Sequence, residues 1–266
     1  MPTDPAIQDR FELAQRIARE AGQHTLNYFQ KEVAVERKAD QSPVTIADVE
    51  AEQLLRDRIS AAFPDDAILG EEFPERDGSS GFRWIVDPID GTKSFIHGVP
   101  LYGTLIGIEH EDESVAGVIE IPGLNESVAA AIGMGAYHRQ GDAEPVPAQI
   151  ANETSLANGL LVTTETTTYA DRGAVAAYQQ LDAAAQLTRT WGDCYGYLLV
   201  VTGRAVAMID PIMSLWDAAA LKPILEEAGG TFTDWQGKAT IHSGEGIGTN
   251  GHVLREILEI TKNFSK

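Results

Sequence analysis

Between residues 67 and 132 the chain breaks into five short segments rich in β-branched and apolar residues, each closed by glycine, proline or charge. They are Ala67–Gly70, Phe82–Val86, Leu101–Glu109, Ser114–Ile121 and Glu126–Ile132. Strands this short and closely spaced predict an antiparallel sheet. The sixty residues before them have a different period. From Ile7 through Phe11, Ala14, Ala18 and Ala21 apolar positions recur every three or four residues, which predicts an amphipathic helix to about Phe29. A second helix is predicted from Thr45 to about Phe63, with Val49, Leu55, Ile59 and Ala62 on one stripe. Thr45 and Asp48 have capping-box spacing there.

A polar stretch at Gly141–Asn158, carrying Pro145 and Pro147, interrupts the pattern and sets the expected division of the chain. Residues 1–147 form an N-terminal α+β half and residues 148–266 a C-terminal α/β half. In the latter, strands near Gly159–Thr163, Ala205–Ile209 and Gly230–Thr233 alternate with helices near Asp171–Ala185, Asp193–Thr202, Leu215–Ala228 and Gly251–Phe264.

Charge narrows the function. Forty acidic against 20 basic residues give a formal charge of -20, which argues against nucleic acid and anionic membranes as partners. An acidic protein still binds an anionic substrate when multivalent cations stand between them. Cys194 is the single cysteine, so no internal disulfide forms. No apolar window is long enough to span a bilayer, and residues 1–10 do not resemble a targeting segment, so a cytoplasmic protein is expected.

The chemistry is concentrated in carboxylates. In Trp84-Ile-Val-Asp-Pro-Ile-Asp-Gly-Thr-Lys93 an apolar strand ends in Asp87 and Asp90. Pro88 fixes a bend between them, and the Ile89 carbonyl offers a neutral oxygen on the same side. Asp-Pro and Asp-Gly are also ordinary turn formers. Glu71-Glu72 follows another strand end, and Asp217 stands at a predicted helix N-terminus, where an acidic residue also serves as a cap. Each of these is weak alone.

Together they are specific. Lys38, Asp40, Thr45 and Asp48, then Gly70-Glu71-Glu72, then Asp87 to Thr92, then Trp216-Asp217 with two alanines, resemble the ordered signatures of the inositol monophosphatase superfamily. The resemblance extends to Glu227-Ala-Gly-Gly230 and Asp234-Trp-Gln-Gly237. It implies an α+β fold, a layered α-β-α-β-α sandwich of the inositol monophosphatase and fructose-1,6-bisphosphatase type, usually dimeric, with the active site where two halves meet. It implies two or three magnesium ions: one on Glu71, Asp87 and the Ile89 carbonyl, a second on Asp87, Asp90 and Asp217, and a weaker third touching Glu71 through water. The attacking water would be oriented by a Thr92–Asp48 pair, with Asp48 taking its proton. Glu72 would position the ligands, Lys38 would stand near the outer metal, and the N–H groups of Gly91 and Thr92 would cradle the phosphate.

Departures from the inositol phosphatases bear on the substrate. Gly192-Asp193-Cys194 replaces a Gly-Thr-Ala run at a helix start, Asp210 stands where a glutamate binds sugar hydroxyls, and Ser214 replaces a histidine. Asp193 and Asp210 suit a cationic leaving group. Phe95 to Ile106, and Arg189 to Tyr197, are similar to the histidinol-phosphate phosphatases of the superfamily, with Arg189 a further substrate-binding candidate. The expected reaction is magnesium-dependent hydrolysis of histidinol phosphate, a step in histidine biosynthesis. The alternatives are an inositol-1-phosphate or broad sugar-phosphate phosphatase and, outside enzymes, a catalytically silent acidic interaction protein of the same fold. The intact ligand set disfavours the last of these.

Overall fold

The computed structural model describes residues 4–39 and 41–264; Asp40, part of the first signature, lies outside the described residues. Asp4 opens α1 (Pro5–Thr25) by accepting the Ala6 N–H at 2.9 Å, with Pro5 in the first turn, where its missing N–H costs nothing. The helix stops short of Phe29; residues 26–30 form turns bonded back to its last carbonyls. A short antiparallel pair, β1 (Val35–Arg37) and β2 (Pro43–Thr45), leads directly into α2 (Ile46–Ala62). Its capping box forms as the spacing predicts: Asp48 Oδ2 accepts the Thr45 N–H at 2.8 Å, and Thr45 Oγ1 accepts the Ala47 N–H at 3.2 Å.

The large sheet runs in chain order through β3 (Ala67–Gly70), β4 (Phe82–Asp90), β5 (Gly103–His110), β6 (Glu113–Ile121), β7 (Glu126–Ala131), β8 (Gly135–Gln140) and β9 (Val146–Pro147), with α3 (Thr92–Ile96) between β4 and β5. It is antiparallel except at one edge. There β3 and β4 run parallel, because residues 71–81 are long enough to carry the chain back to the start of the sheet. β8 and β9 were not expected, and β9 lies inside the polar stretch at 141–158.

The second sheet is built from β10 (Leu160–Thr163), then α4 (Thr167–Asp171), α5 (Val175–Ala184), β11 (Leu187–Arg189), α6 (Asp193–Val201), β12 (Ala207–Asp210), α7 (Leu215–Ala218), α8 (Leu221–Glu227), β13 (Thr231–Thr233), β14 (Gly246–Thr249) and α9 (Leu254–Thr261). Its strand order is β11-β10-β12-β14-β13.

Apolar faces stack these elements into five layers. α1 and α2 cover one face of the large sheet through Ile17, Leu55, Trp84 and Ile108. α6, α7 and α8 fill the space between the sheets, where Ile85, Leu105, Ile119, Leu198, Ile224 and Phe232 share one core. α5 and α9 close the far face over Leu161, Leu181, Trp235 and Ile257. The layering is the α-β-α-β-α sandwich that the resemblance implied.

The central layer sits unusually close to the large sheet. A Cβ built on Gly107 would lie 2.5 Å from the Ala219 side chain, and one on Gly117 would lie 2.1 Å from the Ala220 carbonyl. Only glycine permits that approach, and it brings α7, with Asp217, against β4 and β5.

Candidate active site

β4 does not end at Val86 as the sequence pattern suggested; it continues to Asp90 through an irregularity. Asp87 pairs with Leu105 and Asp90 with Gly103, so three steps along β4 oppose two along β5. Residues three apart on a regular strand point to opposite faces. The extra residue is a bulge that returns Asp90 to the side of Asp87. Pro88 sits within it, needing no ladder donor, and its carbonyl accepts Thr104 Oγ1 at 2.8 Å. Asp87 Oδ1 also accepts the Ile89 N–H at 3.0 Å.

Asp217 comes from the second half of the chain. It is the third residue of α7, and its Oδ2 accepts the Ser214 N–H at 2.6 Å, so the helix cap fixes its position. One carboxylate oxygen from each of Asp87, Asp90 and Asp217 lies within 4.8 Å of the others. Among the described residues no basic side chain forms an ion pair with any of the three. Burial, with Glu71, Asp90 and Asp217 nearby, pushes Asp87 well above the usual carboxylate range, and burial with Asp193 and Asp217 does the same to Asp90. Burial carries Asp217 up to about 7, against the pull of the Ser214 N–H. Three clustered carboxylates, two buried and one half-buried, without a protein counter-charge fit a divalent cation, and an all-oxygen donor set fits a hard one.

Glu71 follows β3 and faces the same cavity, but it stands outside the 4.8 Å set. Lys38 Nζ donates to Glu71 Oε1 at 2.6 Å and to Glu72 Oε1 at 2.8 Å. Burial would depress the lysine, but the two carboxylates outweigh it and raise Lys38 to about 12; Glu72, buried beside Glu71, rises to about 7. Glu52, which the sequence reading passed over, supports this loop from α2. It accepts the Glu72 N–H at 2.7 Å and the Phe73 N–H at 3.2 Å, and it pairs with Arg56. A glutamate beside Ala51 and Leu55 on the buried stripe of α2 was the available signal.

Thr92 Oγ1 donates to the Ile89 carbonyl at 3.1 Å and, at a longer 3.4 Å, to Asp48 Oδ1. Asp48 therefore serves as a helix cap through one oxygen and meets Thr92 through the other. Burial raises it, against the Thr45 bonds.

Glu71, Asp87, Ile89, Asp90, Gly91, Thr92, Asp193, Asp210 and Asp217 all line one cavity of about 710 Å³. Asp193 adopts a left-handed backbone, φ 55°, strained for any residue with a Cβ. Gly192, not Asp193, caps α6; the Asp193 carboxylate accepts Thr164 Oγ1 at 3.3 Å and lies so close to Gly91 that a Cβ there would meet its Oδ2 at 2.9 Å. The next residue links α6 to β4, since the Cys194 N–H donates to Asp90 Oδ2 at 2.6 Å. Asp210 ends β12, buried, and accepts the Tyr197 hydroxyl at 2.8 Å. Lys93, the only basic residue on the lining among the described residues, is paired with Glu165.

Arg189 is a correction. It lies exposed in β11, outside the cavity lining, and its Nη1 donates to the Thr188 carbonyl at 2.7 Å. On this edge strand it stays outside the cavity that Thr190 to Cys194 line.

Hard oxygen donors gathered where two sheets face each other, beside a cavity sized for a small metabolite, define a metal-assisted hydrolase of phosphate esters. The chain belongs to the inositol monophosphatase family, whose model matches residues 7–264. It is 47% identical over 237 residues to a histidinol-phosphatase of Chlorobaculum parvum, covering 89% of this chain and 90% of that one. A histidinol-phosphatase of Streptomyces coelicolor is 33% identical over 96% of this chain and 97% of its own. The solved structure of an inositol monophosphatase from Zymomonas mobilis superposes with a TM-score of 0.84 at 30% identity, covering 97% and 99% of the two chains. Among the described residues no helix is long and apolar enough to cross a membrane.

Proposed function

We propose that this chain is a magnesium-dependent phosphomonoesterase that cleaves histidinol phosphate to histidinol and inorganic phosphate. One observation carries the reading: among the described residues, seven acidic side chains line the cavity against a single lysine that Glu165 already engages. A phosphate monoester brings nearly two more negative charges, so it enters only with cations beside it. Carboxylates beyond the ion-binding set then favour a leaving group that is itself cationic, as histidinol is through its ammonium, with an imidazole N–H as a further donor. The names of the two relatives above support the same substrate.

In this proposal Glu71, Asp87, Asp90, Asp217 and the Ile89 carbonyl hold two or three magnesium ions. When bound, the ions supply positive charge to the phosphate and acidify water beside it. Thr92 orients the attacking water and Asp48 accepts its proton. The N–H groups of Gly91 and Thr92 receive phosphate oxygens, and Lys38 and Glu72 hold Glu71 in register. Asp193 and Asp210 accept hydrogen bonds from the leaving group. We further propose that residues 1–147 and 148–266 are two halves that meet at the active site, and that the protein works as a cytoplasmic homodimer, as the family resemblance suggests.

The rival substrate is inositol 1-phosphate, favoured by the likeness to the Zymomonas mobilis enzyme; Asp193 and Asp210 argue against it. Phosphate release from histidinol phosphate, inositol 1-phosphate, adenosine 3',5'-bisphosphate and fructose 1,6-bisphosphate, with magnesium and then with chelator, decides. The expected result is the highest kcat/KM on histidinol phosphate and loss of all activity in chelator. Preference for inositol 1-phosphate, or full activity without divalent ions, overturns the proposal.

A further inference from the structure

Of the four tryptophans, two are hidden and a third, Trp216, is half-buried on the cavity lining. Trp84 and Trp235 are fully buried, and their indole N–H groups donate to Asp66 Oδ2 at 2.8 Å and to the Asp210 carbonyl at 3.2 Å. Trp191 differs on every count. It is 41% exposed, it stacks on no other ring, and its indole N–H has no partner among the described residues. It also lines the acidic cavity, one residue before the Gly192 cap of α6 and two before the strained Asp193.

Two further exposed apolar side chains share that lining: Val99 at 40%, between α3 and β5, and Ile212 at 44%, just beyond β12. Three of the ten large apolar residues exposed among the described residues thus gather at one cavity whose other side chains are mainly carboxylates and hydroxyls. Exposed apolar groups scattered singly need no explanation, but a cluster at the rim of a polar site marks a surface that a ligand covers.

We propose that Trp191, with Val99 and Ile212, forms an apolar shelf that receives the flat ring of a cationic leaving group, making Trp191 a specificity-determining residue. The occupant follows from the neighbours. An indole face attracts a cation, while Asp193 and Asp210 accept the hydrogen bonds of a protonated nitrogen. A polyol would have to lose water against the apolar shelf without replacing those hydrogen bonds. The shelf therefore selects against sugar phosphates as well as for a ring-bearing amine, and in this it rests on the substrate class proposed above.

The test compares wild type, Trp191→Ala and Trp191→Phe on histidinol phosphate and on glycerol phosphate, which has neither ring nor cation. The ratio of the two kcat/KM values is expected to fall about tenfold in Trp191→Ala, mainly through KM, and to be largely restored in Trp191→Phe, whose ring keeps a π-face. Inhibition by free histidinol should weaken by a similar factor in Trp191→Ala. If wild type prefers histidinol phosphate but the ratio does not move in Trp191→Ala, the shelf is overturned and the substrate stands. If wild type prefers inositol 1-phosphate, both fall together.

Discussion

Asp48 carries two duties on its two oxygens, and the division makes them separable. Oδ2 takes the Thr45 N–H and hydroxyl, which holds the first turn of α2; Oδ1 faces Thr92. An amide at position 48 retains one acceptor oxygen, and its N–H₂ must face one of the two sets of donors. If the oxygen turns to Thr45 the cap survives but no base remains beside Thr92. Asp48→Asn is therefore expected to cost about 1 kcal/mol of stability, read by urea unfolding, while kcat falls about 10²-fold or more. A variant that loses stability but keeps kcat would reduce Asp48 to a cap. Spacing alone offers no means of choosing between the duties, because a capping box and a general base require the same residue three positions after Thr45. Asp193 presents the reverse case. It stands at a helix start, where an aspartate is a common cap, yet its left-handed backbone leaves the cap to Gly192 and its carboxylate lies against Gly91.

At the scale of elements, the residues from Leu215 to Ala228 follow one apolar period but form two helices. Pro223 explains the break: it has no N–H to offer the Ala219 carbonyl, and that carbonyl accepts Ser114 Oγ at 2.8 Å from the large sheet instead. A proline inside a helical period was a legible signal; its new partner on β6 was not. The same limit hid β14, where Gly-Ile-Gly-Thr resembles a loop. Both glycines lie against Tyr197, and the strand pairs with β12 and β13 on its two sides. Helices with long apolar stripes, such as α1 and α2, and the strands with branched side chains were legible because their period is local. Bulges, edge strands and glycine strands were not, because the partner that defines them is distant in sequence. Gly117→Ala tests whether the close approach of the central layer matters. The new Cβ would lie 2.1 Å from the Ala220 carbonyl, where only backbone movement relieves it. A loss of about 2–3 kcal/mol is expected in urea unfolding, with a fall in kcat because α7 carries Asp217. Unchanged stability would mean that the layer shifts freely.

For the whole molecule, the formal charge of -20 and the buried aspartates set stability against function. Asp90 is the informative position, since burial together with Asp193 and Asp217 holds it well above the usual carboxylate range, while its Oδ2 bond to the Cys194 N–H can be kept by an amide. A carboxyl whose folded pKa is raised binds more protons folded than unfolded, so at neutral pH it destabilises the metal-free protein, and this cost fades as pH falls through the folded value. Asp90→Asn removes the charge outright. In chelator at pH 7.5 the variant should therefore be more stable than wild type, and the difference should close as the pH falls through the raised value of Asp90. Magnesium should reverse the order. Wild type gains roughly RT ln(1 + [L]/Kd), about 2.7 kcal/mol at a hundredfold excess over Kd, whereas the variant, short of one donor, gains less and has little activity. Thermal unfolding of both proteins across pH, with chelator and with magnesium, gives four curves. If Asp90→Asn is the less stable protein in chelator, the aspartates are held by compensating contacts rather than waiting for an ion.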